Sequence, residues 1–212
     1  MKKLIISLIS IAIIAFTGHS QLLEIRGYSG INIHQFTNTD NRQFVENAIY
    51  SRSFSGRPGL QIGGAVTLGK RFYFQPGLQF TTISMAYVTD NTVDGEELIS
   101  NSRLNMISVP LRAGFKLINP EFTSFFNVRI FGGIQGNRPV SVNHARESTI
   151  SENITIEDYN QVFFNADLGV GADIFFLFAD LGYQFGLTPV HSGPNDAKVQ
   201  AFYANVGVNF KF

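Results

Sequence analysis

The chain contains no cysteine and no tryptophan. Without cysteine there is no disulfide, no thiolate metal site and no thiol nucleophile. Charge is scarce as well. Asp, Glu, Lys and Arg make up 15% of the 212 residues, well below the roughly 25% of an ordinary soluble domain. Basic and acidic residues balance at 16 each, so the basic surface that a nucleic-acid partner requires is missing. No glycine-rich phosphate loop occurs. Past the first 20 residues, no apolar run approaches the roughly 18–20 residues of a spanning helix. A membrane protein with this sequence would have to cross by strands.

What the chain has in quantity is Phe, at 21 residues, and Gly, at 20. The N-terminus reads as a leader. Met1-Lys2-Lys3 is a basic start, Leu4 to Phe16 an apolar core, and Gly18-His19-Ser20 sets small residues before Gln21. The expected division is a cleaved signal peptide over 1–20 and one barrel domain over 21–212. Cleavage removes Lys2 and Lys3, taking the basic count from 16 to 14 against 16 acidic residues, a net of −2.

The last stretch sets the pattern. Phe202, Ala204, Val206, Val208, Phe210 and Phe212 alternate with Tyr203, Asn205, Gly207, Asn209 and Lys211. A period of two predicts a strand with one apolar face and one polar or small face. Seven more such stretches precede it, at roughly 22–36, 57–69, 72–81, 103–117, 122–135, 161–173 and 176–188. Pro76, lacking an N–H, predicts an edge or a bulge in the third. Polar segments at 37–56, 88–101, 136–159 and 189–198 separate the strands, in alternation with tight reversals at Gly69-Lys70-Arg71, at Asn119-Pro120 and near Asp173-Ile174.

Connections that alternate long and short, on an even number of long strands, are the pattern of a transmembrane barrel. The fold class expected is therefore all-β, an eight-stranded antiparallel up-and-down transmembrane β-barrel. The apolar face meets lipid. The face rich in Gly fills the interior and carries Glu24, Arg26, Arg112, Lys116, Arg129, Asp167 and Asp180. A soluble barrel with the faces reversed would have to crowd the Phe residues into a bore too narrow for them. Closure also leaves no strand edge unpaired in lipid.

Several stretches carry a family resemblance. They are the leader ending before Gln21, Gly59-Leu60-Gln61-Ile62-Gly63-Gly64, the run from Arg71 to Gln79, Val109-Pro110-Leu111 and the final Gly207 to Phe212. Together they resemble the PorT-like outer-membrane β-barrel family, whose motifs are strand patterns without a catalytic signature. The resemblance implies an outer-membrane location in a Gram-negative bacterium. It also implies that Phe210 and Phe212 form a C-terminal signal read by the barrel-assembly machinery.

The inward charges are candidates for a proton or ion path, or for a structural salt-bridge network. An eight-stranded bore has room for side chains and little else, which favours the network, because buried charges must pair. Arg129, Asp167 and Asp180 could form one ladder over three adjacent strands if their heights match. A rim enzyme acting on lipid would need a Ser–His pair, for which His34, His144, His191-Ser192 and Ser141 are candidates without a supporting motif. Asp90 to Gly95 resembles a calcium loop, but Thr92 stands at its third position and Asn101 at its twelfth. Asn153-Ile154-Thr155 matches a glycosylation sequon and carries no weight in a bacterium. The expected protein is a monomer without cofactor or metal, surrounded by outer-membrane lipid. It would act through its outer loops in adhesion, ligand or partner binding, or as an envelope or secretion component. A rim enzyme and a narrow pore are the alternatives.

Overall fold

The computed structural model describes residues 23–37, 44–45, 48–49, 55–90, 97–118, 125–144, 161–190 and 198–212. The expected leader, residues 1–20, lies outside them. Eight strands close into one antiparallel barrel: β1 (Leu23–Thr37), β4 (Ser55–Leu68), β5 (Phe72–Asp90), β6 (Glu97–Lys116), β7 (Phe126–His144), β8 (Phe163–Ile174), β9 (Leu177–Gly186) and β10 (Lys198–Lys211). A separate two-stranded ladder, β2 (Phe44–Val45) with β3 (Ala48–Ile49), lies between β1 and β4 in sequence. Each barrel strand pairs with its barrel neighbours in sequence, and β1 closes the ring against β10.

The register gives the stagger of the barrel. From His34 the paired residues run through Ala201, Gln184, Asp167, Gly133, Arg112 and Gln75. The β4–β5 and β1–β4 registers then lead through Thr67 to Glu24. One circuit therefore re-enters β1 ten residues below its start, from 34 to 24. Such a stagger tilts the strands about 35–45° from the barrel axis.

Alternation sorts the side chains as the period of two requires. Leu60, Ile62, Leu78, Leu168 and Val206 point outward and are exposed, while Glu24, Arg26, Gln79, Arg112 and Arg129 point inward and are buried. Where side chains are described, the exposed charged ones gather at two rims and are basic. Arg103, Arg138 and Lys198 stand at one end, and Lys70, Arg71 and Lys211 at the end with the short turns. The wall between them is apolar.

The inner wall is packed by a repeated pairing of large and small. Tyr28 faces Gly63, Tyr73 faces Gly114, Phe131 faces Gly169, Phe178 faces Gly207 and Tyr203 faces Gly182, each across one ladder. A Cβ on any of these glycines would collide with the ring opposite. The glycines thus make the space that lets aromatic rings lie flat on the inner wall.

Four expectations are corrected. Much of the polar segments 88–101 and 136–159 is strand: Val88 pairs with Ile99, Asp90 with Glu97, and β7 continues to His144. Beyond the lipid belt both faces of a hairpin meet water, so the ladder persists where the alternation stops. Asn101, the twelfth position of the calcium-like loop, is a strand residue opposite Ala86, and its remaining residues 91–95 lie outside those described. The reversal expected at Asp173-Ile174 falls at Phe175-Phe176, where Phe175 takes a left-handed φ of 55°. Pro76 sits in the ladder opposite Leu111 without a register shift. The two shifts lie beside Pro58 and Pro139 instead, where the missing N–H coincides with an extra residue.

Candidate functional site

The bore of the barrel is the site that the inward residues build, and it is stratified. At the end with the short turns, an alternating chain of charges crosses it. Lys116 Nζ donates to Glu24 Oε1 at 2.5 Å, and Arg26 donates to Glu24 Oε2 at 2.7 Å. Arg26 also forks onto Asp173, with NH1 to Oδ1 at 3.1 Å and NH2 to Oδ2 at 3.2 Å. Arg129 Nε donates to Asp173 Oδ1 at 3.2 Å, and its NH2 to Asp180 Oδ1 at 2.6 Å. Strands β6, β1, β8, β7 and β9 are thereby tied through one network. Asn209 Nδ2 donates to Glu24 Oε2 from β10.

A second cluster lies farther along the axis. Arg112 Nε donates to Asp167 Oδ2 at 2.5 Å, its NH2 donates to the Tyr203 hydroxyl at 3.2 Å, and that hydroxyl donates to Asp167 Oδ1 at 2.8 Å. Four buried cations, Arg26, Arg112, Lys116 and Arg129, thus meet four buried carboxylates, Glu24, Asp167, Asp173 and Asp180. The guanidiniums also lie over rings. Arg26 and Arg129 flank Phe178 at 4.9 and 5.2 Å, and Arg112 is 5.1 Å from Phe131. A cation over a ring recovers part of the solvation lost on burial.

Toward the other end, neutral amides replace the charges. Gln79 accepts from Tyr28 and donates to Thr81, Gln61 donates to Asn205, and Gln184 donates to Gln135. Above them the inward positions turn apolar. Ile83, Leu104, Met106, Phe163, Val190 and Val199 form one buried cluster, with Val142 packed against it.

All seven charges singled out in the sequence, Glu24, Arg26, Arg112, Lys116, Arg129, Asp167 and Asp180, are buried here. Their pairing differs in one respect. Asp167 is level with Gly133 on β7, four residues from Arg129, so those two share no rung, and Asp167 pairs with Arg112. Asp173, at the end of the strand expected over 161–173 and beside the expected reversal, is an inward carboxylate that the sequence reading does not single out. Its parity with Asp167, Gly169 and Gly171 marks it as inward. The apolar cluster was missed too, since a change from polar to apolar within one face erases the contrast that identifies the face.

The sequence matches the family described as "Outer membrane protein beta-barrel domain" over residues 19–192, most of the chain. The chain belongs to that family. It is therefore an outer-membrane β-barrel. OprG of Pseudomonas aeruginosa is similar at 10% identity, over 91% of this chain and 95% of its own, with a TM-score of 0.51. Ail, the attachment invasion locus protein of Yersinia pestis, solved in complex with the heparin analogue sucrose octasulfate, is similar at 12% identity, over 89% of this chain and 99% of its own, with a TM-score of 0.42. At such identity the likeness to OprG speaks for the fold alone. No curated protein matches the chain.

In this outer-membrane barrel the rim-enzyme candidates do not come together among the described residues. His34 is buried inside the bore. The Ser141 hydroxyl accepts a hydrogen bond from Asn105 Nδ2 at 3.0 Å. His191 and Ser192 lie outside the described residues, as does the side chain of His144. No group of three His, Asp or Glu side chains poised for a metal occurs among the described residues.

Proposed function

We infer that this protein is a non-enzymatic outer-membrane barrel with a filled interior, whose outer segments bind a ligand, a surface or an envelope partner. One observation carries the reading: the charge chain from Lys116 to Asp180 crosses the bore and uses its charges on one another. Charges that conduct must be exchangeable with a solute, whereas these are fixed in pairs. The long arms of β5, β6 and β7, at 19, 20 and 19 residues, support the second half of the reading. They exceed the 9–11 residues that a membrane crossing needs, so they form a platform for the connections at that end. The PorT-like likeness, a role in an envelope or secretion complex, a monomeric state and recognition of Phe210 and Phe212 by the barrel-assembly machinery belong to the same reading.

Planar-bilayer recording of the purified protein tests the filled interior. The expected record is flat, and steady channels of porin size would overturn it. Crosslinking in intact cells, from residues placed in 91–96 and 145–160, tests for a partner.

A further inference from the structure

The end of the barrel with the short turns is chemically lopsided. The β8–β9 turn reads Ile174-Phe175-Phe176-Leu177, with Phe175 66% and Phe176 58% exposed. The Phe125 ring just before β7 lies 5.9 Å from that of Phe175, extending the patch. The β4–β5 turn is Gly69-Lys70-Arg71, with both cations exposed. In the ring order two strands separate these turns in either direction, β10 and β1 one way, β7 and β6 the other. The apolar turn and the basic turn are thus diametrically opposed.

An upright axis would set both turns at a similar depth. At that depth, either Phe175 and Phe176 stand in water or Lys70 and Arg71 stand in hydrocarbon. The first leaves two aromatic rings hydrated, and the second desolvates two cations, the more so the deeper they stand. A tilt removes the conflict. The apolar turn is continuous with the lipid-facing wall through Ile174 and Leu177, both exposed. Arg71 already lies against the outside of the wall, its guanidinium 4.9 Å from the Phe115 ring, where it can meet a lipid phosphate. The short span of β8 and β9, at 12 and 10 residues, lies on the side that would sink.

We propose that the barrel sits inclined in the membrane, with the Phe175-Phe176 turn sunk among the acyl chains of the inner leaflet and Lys70 and Arg71 held at its phosphate headgroups. The turn is then a lipid anchor, and the incline gives the outer platform a fixed lean toward one side. Short turns face the periplasm in barrels of this type, which assigns the leaflet.

The absence of tryptophan and cysteine makes the test clean. Phe176→Trp and, on the opposite rim, Phe72→Trp are each refolded into phospholipid vesicles carrying brominated acyl chains. Phe175 is left alone because of its left-handed backbone. The expected result is blue-shifted emission and strong bromine quenching for Phe176→Trp, with a shallower, more iodide-accessible signal for Phe72→Trp. Equal depth for the two probes would overturn the proposal. So would iodide quenching of Phe176→Trp, which would put the turn in water, or shielding from both quenchers, which would mean that a second copy covers it. Should either tryptophan variant fail to fold, Phe176→Cys and Lys70→Cys read the same difference by labelling with a polar maleimide, the first slow and the second fast. Equal labelling overturns the incline.

Discussion

Asp173 holds two guanidiniums at once, from Arg26 and from Arg129, with all three side chains buried in the bore. Removing its charge leaves both cations short of a partner. Asp173→Asn should therefore destabilise the barrel by about 3–5 kcal/mol, the usual cost of an uncompensated buried charge. Urea unfolding from lipid vesicles measures it, and a loss typical of an exposed ion pair would show the network to be slack. On the opposite face the test runs through lipid. Val206 is 64% exposed on the outer wall, paired with Ala179 in the middle of β10. Val206→Arg should cost about 2–4 kcal/mol if that wall meets the bilayer midplane. A neutral result would count against the orientation of every strand.

Among the elements, β5, β6 and β7 do two jobs with one ladder. Their lower parts are barrel wall, and their upper parts continue pairing to Asp90 and Glu97 and to Ser102 and His144. The extra residue at Val140, beside Pro139, lets β7 resume its facing above the bulge, so that Val142 still packs inward on the apolar cluster. Trypsin added to intact cells should cut only in the connections at this end. Lys70 and Arg71 should be spared, being on the far side of the membrane, and so should Arg103 within its strand. Mass spectrometry of the fragments decides the matter, and a cut after Lys70 or Arg71 would reverse the topology.

For the molecule as a whole, the balance of four inward cations and four inward carboxylates among the described residues matters more than any one pair. Interactions between buried charges are screened little by dissolved ions. The urea midpoint should accordingly shift little between low and high salt, whereas a barrel held by surface pairs would weaken as salt rises. A large loss of stability in salt would show that solvent ions enter the bore.

The alternation of single strands was enough to sort the lower wall between lipid and bore, because parity gives a strand's two faces and the contrast between them says which is which. Val206 and Asn205 are sorted by counting. The number of strands and the end at which the chain reverses followed from the same count. Pairing across the bore was decided only by the tertiary structure. Arg112 meets Asp167 and Arg129 meets Asp173 and Asp180 because the ring closes with a stagger of ten residues, from His34 to Glu24. Stagger is a property of the closed ring and leaves no mark on any one strand. The apolar patch at Phe175 and Phe176 is legible as sequence, yet its position opposite Lys70 and Arg71 exists only once eight strands have closed a circle.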